Sequence, residues 1–336
     1  MERGLITTLF FRLIQSFIAL LGVIVIIFVL SRVLPGNPAL AILGPKATPE
    51  NIQKVMSEWG LDKPLAEQFI IYLSKLFHGE LGEAYVMGYS VNRLISERLP
   101  ASFELVIFAF ILAILIGLPL GIIASRRPDS KTDLALSSLA IFGLSFPTML
   151  VGILLLLLFG LYLGFPVGGR VDPRYSINTY TGFMLIDTLL NGNVNAFLDA
   201  LKRLLPPALA LAIPLSGLLL RLTRNSILEV SSLDFVKTAK MKRLPERVVL
   251  YRHVLRNAMI PIITVMGLYF AVVVTGDIIV ETIFAWPGLG RLIYEAVMLR
   301  DYMVIQGTVL VISVIYIFVN LLVDLVYLYL DPRIRG

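Results

Sequence analysis

From Leu105 to Ala124 the chain runs for twenty consecutive residues without a polar side chain. A helix of that length rises about 30 Å, the thickness of the hydrocarbon core of a bilayer. It is the cleanest of six runs long and apolar enough to be read as spans, too many to be buried in one soluble core. They fall near Leu9 to Leu30, Phe103 to Ala124, Leu134 to Leu163, Leu204 to Leu220, Ile260 to Val280 and Thr308 to Leu330. Backbone groups in hydrocarbon must be satisfied within their own segment, so each run predicts a helix. The fold class that follows is an all-α polytopic membrane protein with six transmembrane helices. The fourth run is short and holds Pro206, Pro207 and Pro214, which predicts a kinked span supported by its neighbours. Composition agrees: 57% of the 336 residues are hydrophobic, 15% are charged, and mean hydropathy is +0.86.

Loop charge sets the orientation. Between the fourth and fifth runs, Arg221 to Arg256 carry nine Lys and Arg, and such a stretch must project into water. Placing the N-terminus inside puts this island, Arg3, Arg12, Arg126, Arg127, Lys131, Arg333 and Arg335 in the cytoplasm, 16 of the 29 Lys and Arg on the shorter loops. Both termini are then cytoplasmic. The net charge of +6 suits cytoplasmic loops facing anionic lipid, not nucleic acid. The first run reads as a retained signal-anchor span, because no small-residue cleavage site follows it before Ser31 and Arg32. With no cysteine, the chain has neither a disulfide framework nor a thiol site.

Within the island, Ser231 and Asp234 are spaced as a capping box, Leu233 to Lys242 can form a helix, Pro245 can open a second, and Pro261 introduces the next span. A helix, a turn and a helix on a cytoplasmic face is a shape suited to docking. Outside, Thr48-Pro49-Glu50 starts a helix ending near Gly60, and a second runs from Pro64 to about Phe77, so the first outer loop is a small folded element. It serves either as a rim meeting an external partner or as packing over the membrane domain. The second outer loop, Phe165 to Arg203, reads as irregular.

Enzyme chemistry finds little support. The chain has two histidines, His78 and His253, no HExxH and no GxxxxGK[ST] loop for ATP phosphates. Trp286-Pro287-Gly288-Leu289-Gly290 reads as an interfacial turn, and Ser137, Ser138 and Ser145 as helix-packing residues. Acids in or beside spans carry more weight, since each is costly unless paired or wetted. Asp277 and Glu281 share a helical face near the outer end of the fifth run, Asp324 lies in the sixth, and Glu104 opens the second. Asp277, Glu281 and Asp324 are therefore candidates for a translocation path, with an interhelical hydrogen bond or an interfacial position as the structural alternative.

Several motifs in order carry a family resemblance: Arg32-Val33-Leu34-Pro35-Gly36-Asn37-Pro38, Gly60-Leu61-Asp62-Lys63-Pro64-Leu65, Glu97-Arg98-Leu99-Pro100-Ala101-Ser102 and Asp234-Phe235-Val236-Lys237-Thr238-Ala239-Lys240. Leu255-Arg256-Asn257-Ala258 with Pro261, Val280-Glu281-Thr282-Ile283-Phe284 with Trp286-Pro287-Gly288-Leu289-Gly290, and Leu330-Asp331-Pro332-Arg333 follow. Over essentially its full length the chain resembles the first permease subunit of the dipeptide and oligopeptide family of ABC importers. The resemblance implies the type I importer transmembrane fold. Residues 1–31 would hold the N-terminal end and first span, 32–100 the helical outer element, 101–330 the permease core with its coupling loop at 221–259, and 331–336 the cytoplasmic tail.

It further implies that Asp234, Phe235, Val236, Thr238, Ala239, Lys242, Arg243, Leu244 and Pro245 form the segment that docks on an ATPase subunit. Arg243 stands where the family usually has glycine, at a turn suited to a left-handed residue, and Asp277 stands where it mostly has a small apolar one. The implied partners are a homologous second permease, two ATPase subunits that bind ATP and magnesium, an extracytoplasmic binding protein and the lipid bilayer. This chain itself would hold no cofactor and hydrolyse no ATP. Localisation would be the prokaryotic inner or plasma membrane. The substrates implied are di- and oligopeptides, with oligosaccharides or nickel as family alternatives. An ion-coupled secondary transporter is the reading from another class.

Overall fold

The computed structural model describes residues 2–33, 43, 47–58, 62–84 and 86–330. Its helices are α1 (Glu2–Val33), α2 (Pro49–Glu58), α3 (Leu65–Phe77), α4 (Val91–Arg126), α5 (Lys131–Ser145), α6 (Thr148–Leu157) and α7 (Met184–Leu190). They continue with α8 (Val194–Ser231), α9 (Asp234–Met241), α10 (Glu246–Val248), α11 (Leu255–Val273), α12 (Ile278–Ile283), α13 (Leu289–Leu299) and α14 (Tyr302–Leu330). π-helical turns extend α6 over Leu158–Tyr162 and join α10 to α11 over Val249–Val254. A two-residue hairpin, β1 (Glu83–Ala84) antiparallel to β2 (Tyr89–Ser90), departs from the all-helical expectation. Motif residues 34–38 and 60–61 and the tail 331–336 lie outside the described residues.

Among the described residues, five helices are long and apolar enough to cross a membrane, or six crossings if one bent pair counts as a span. The centre is α4 against α8. Ser90 Oγ accepts the Arg93 amide at 3.4 Å to start α4, and Asn193 Oδ1 accepts the Ala196 amide at 3.0 Å to start α8. Where the two helices meet, a Cβ on Gly117 would lie 2.6 Å from the Ser216 carbonyl oxygen, and one on Gly121 2.6 Å from Thr223 Cβ. Glycine thus lets the backbones approach, which matters in lipid, where burial of apolar surface alone does not join helices. α5 packs on α8 by the same device, since a Cβ on Gly217 would sit 2.8 Å from the Ala140 carbonyl oxygen.

Several expectations need correction. The fourth span is not short: α8 continues for 38 residues through all three prolines. Its outer turns carry Asp199, Lys202 and Arg203, whose charge hides them from a hydropathy reading, and they also make the second outer loop partly helical. The third run is two helices bent by 98°. The break falls at Phe146, which has φ −80° and ψ 128°, because the ring of Pro147 drives the residue before it out of the helical region. Pro261 lies inside α11, and Glu246–Val273 forms one continuous helical segment from the island into the fifth span. No capping box forms, because Ser231 ends α8 and Ser232 Oγ donates back to the Glu229 carbonyl at 2.7 Å, leaving Leu233 as the cap of α9.

The outer element is packed down. Phe28, Tyr72, Ala84, Val91 and Ile95 share one core with Leu289, Leu292 and Ala296 of α13 and Met303 and Val304 of α14. Buried Asp301 ties the hairpin to α14 by accepting the Val86 and Met87 amides at 3.0 and 3.2 Å.

Candidate coupling surface and the outer polar cluster

The island is held by one face and free on the other. Val236 and Ala239, three residues apart on α9, are buried with Ile227 of α8, Val249 and Val254 of the π-turn, and Ala258 of α11. The placement of Val236 and Ala239 on the docking surface is therefore corrected: their side chains pack α9 onto the bundle and lie beneath the exposed face. The remaining candidates point outward. Asp234 is 95% exposed and pairs with Lys237 at 2.8 Å, Phe235 is 43% exposed, and Thr238, Lys242, Leu244 and Pro245 are exposed. Leu233, Met241, Val248 and Tyr251 add exposed apolar surface around them. Arg243 has φ 54°, so the turn keeps a left-handed residue without glycine.

Of the three candidate path acids, Asp277 and Glu281 lie close enough at one helix start to interact, whereas Asp324 lies on another helix. Asp277 lies beyond α11 and caps α12, accepting the Val280 amide at 2.8 Å. Asp324 pairs with Arg12 across α14 and α1, both half-buried. Glu281 is fully buried in α12, outside the spans. An apolar groove of about 330 Å³ runs along α11, lined by Phe110, Ile114, Leu219, Ile262, Met266 and Phe270 among others, and none of the three acids borders it.

Glu281 instead organises a cluster at the outer end of α4. Its carboxylate accepts Ser102 Oγ at 2.6 Å and the Arg291 amide at 2.9 Å, while Ser102 Oγ accepts the Leu289 amide at 2.8 Å. Burial pushes the Glu281 carboxyl up to about 7, against the pull of the Ser102, Arg291 and Gly290 donors. A Cβ on Gly290 would sit 2.8 Å from the Ile278 nitrogen, so the glycine is required by close approach. Trp286 is a core residue, 1% exposed, and not the interfacial residue expected. Its Nε1 donates to the Ala101 carbonyl at 2.8 Å. Two residues beyond Ser102 along α4, Glu104 pairs with Arg170 and accepts the Leu185 amide at 2.7 Å, and the Arg170 guanidinium lies 5.9 Å from the Trp286 ring centre. Asp172 beside it is held at about 2 by Arg174. Sequence reasoning noted Glu104 but missed Ser102 and Arg170, whose partners are 66 to 187 residues away.

Residues 117–336 match the family described as binding-protein-dependent transport system inner membrane component, and residues 5–106 match the N-terminal region of such membrane components. This chain belongs to that family. The permease is 38% identical to the dipeptide transport system permease protein DppB of Alkalihalophilus pseudofirmus, covering 96% of this chain and 98% of the relative. It is 39% identical to the di/tripeptide transport system permease protein DppB of Pseudomonas aeruginosa, covering 94% of each. It is 40% identical to the probable D,D-dipeptide transport system permease protein DdpB of Escherichia coli, again covering 94% of each. In fold the permease is similar to a chain of the MetNI methionine ABC transporter solved in inward-facing conformations, with a TM-score of 0.54 and 12% identity over 71% of this chain and 96% of that one. The architecture is that of a type I ABC importer transmembrane domain. It is a multi-pass inner-membrane permease component, and both the island and the outer cluster fall within the matched residues.

Proposed function

We propose that this permease forms half of the path for di- and short oligopeptides in a binding-protein-dependent ABC importer. The observation that carries the reading is 38–40% identity to three peptide permeases along at least 94% of both chains. A homologous second permease supplies the other half, and a binding protein delivers peptide to the outer face. Two ATPase subunits bind ATP and magnesium and dock on the island, which puts both termini of this chain in the cytoplasm. What supports docking there is a helix anchored by Val236 and Ala239 that leaves Asp234, Phe235, Thr238, Leu244 and Pro245 to a partner. The second helix of that segment is continuous through a π-helical turn with the fifth span, so movement of the island has a direct helical connection to α11.

The test is reconstitution of the permease with a second permease, two ATPases and a binding protein in liposomes, followed by uptake of tritiated alanyl-alanine. Uptake should require both ATP and binding protein. Uptake driven by a proton gradient without ATP would replace this mechanism with ion coupling. ATP-driven uptake of maltotriose but not of the dipeptide would overturn the substrate.

A further inference from the structure

Asp133 is buried, 1% exposed, at the cytoplasmic end of α5. Arg224 of α8 grips it with two charge-assisted bonds, Nε to Oδ1 at 2.5 Å and Nη2 to Oδ2 at 2.6 Å. The same carboxylate accepts the Asp129 amide at 2.9 Å and Ser137 Oγ at 3.2 Å, while Ser130 Oγ accepts the Asp133 amide at 3.2 Å. Asp133 therefore fixes the left-handed turn at Asp129 (φ 58°) and joins the start of α5 to α8. Arg224 sits one helical turn before Ile227, the α8 residue buried against Val236 and Ala239 of α9. Arg224 and the residue that seats α9 thus lie one turn apart on α8.

Deeper in the bundle α5 packs closely along α8, with no second ion pair between them among the described residues. The contact is backbone on backbone, at Gly217 against Ala140, with Ala124, Ala140 and Leu220 as the local core. Smooth small-residue surfaces allow sliding, whereas a bidentate pair does not. Beyond the 98° bend, α6 leads to the outer cluster: a Cβ on Gly152 would lie 3.3 Å from Ile283 of α12, two residues from Glu281.

We propose that Asp133 and Arg224 are positioning residues for transport. They lock α5 to α8, so that movement received at α9 is carried into the bent α5–α6 span and not lost as slip between helices. The proposal rests on the importer reading given above. Spatial continuity does not establish coupling, so the test must read movement.

The chain has no cysteine, so a pair introduced into it can be labelled uniquely on the purified permease before the complex is assembled. Spin labels at Leu139→Cys on α5 and Phe318→Cys on α14, both exposed, report the distance between those helices in the reconstituted complex with and without ATP and vanadate. The parent should show a nucleotide-dependent shift. Arg224→Gln should lose it, and Arg224→Lys, which keeps one charged contact, should retain part. Removing one partner of a buried pair is strongly destabilising, so the double variant Asp133→Asn/Arg224→Gln supplies a neutral pair that leaves no buried charge alone. It should assemble and hydrolyse ATP at the parent rate with the shift lost.

A full parental shift in the double variant or in Arg224→Gln would overturn the proposal. So would hydrolysis and shift falling together in proportion to assembly in Arg224→Lys, since a merely structural role predicts that. Absence of ATPase binding or hydrolysis in the parent complex itself would instead refute the importer reading.

Discussion

Replacing Glu281 by glutamine tests whether the outer cluster holds a carboxyl that burial pushes toward neutrality. The folded carboxyl titrates near 7 against an ordinary 4.5, so the folded state holds its proton where the unfolded state has released it. The sign follows from linkage: stability is greatest below 4.5, falls as pH rises through 7, and is flat above. A rise from 4.5 to about 7 corresponds to about 3 kcal/mol, at about 1.4 kcal/mol per pH unit. Glutamine cannot ionise, yet its oxygen can accept the Arg291 amide while its nitrogen donates to Ser102 Oγ. The assay is thermal unfolding of purified parent and Glu281→Gln in detergent from pH 4.5 to 8. The two should be close in stability at the acid end and diverge as pH rises, glutamine becoming the more stable by about 3 kcal/mol, on the order of 5 °C in Tm. A difference between parent and variant that stays constant across this range would refute the reasoning.

Three further outcomes are expected. Phe235→Asp on the exposed face of α9 should leave the permease folded but reduce ATPase co-purification at least tenfold, whereas Val236→Asp, which buries an unpaired charge beside it, should abolish folded protein by size-exclusion chromatography. Arg243→Gly should relieve the left-handed strain by about 1 kcal/mol and slow amide exchange of the 240–245 turn about fivefold, and unchanged exchange would refute strain at this turn. Gly290→Ala should cost about 2 kcal/mol or more, read as a lower Tm, because its Cβ would collide with the Ile278 backbone.

Much of this protein was legible along the chain. Hydropathy alone located the apolar runs, because a span must satisfy its own backbone and so shows its length in consecutive residues. The island was legible for the complementary reason, that nine cations cannot enter hydrocarbon. At Arg243 the resemblance left the turn's shape open, because the family usually has glycine there, and only the backbone showed that the left-handed residue is kept. Tertiary structure decided what depends on partners distant in sequence. Amphipathic spacing could not say which face of α9 would be buried, and so Val236 and Ala239 were misassigned. Periodicity gave Trp286 no neighbour, whereas the fold placed it beneath Ala101, 185 residues away. The acids proposed for a path were opaque in the same way. Asp277, Glu281 and Asp324 looked costly because an acid in an apolar run has no visible partner in sequence. The fold resolves each cost separately: Asp277 caps a helix, Glu281 accepts donors from α4 and α13, and Asp324 meets Arg12 from the far end of the chain. An acid's cost can be read locally, but its compensation is a matter of three-dimensional proximity.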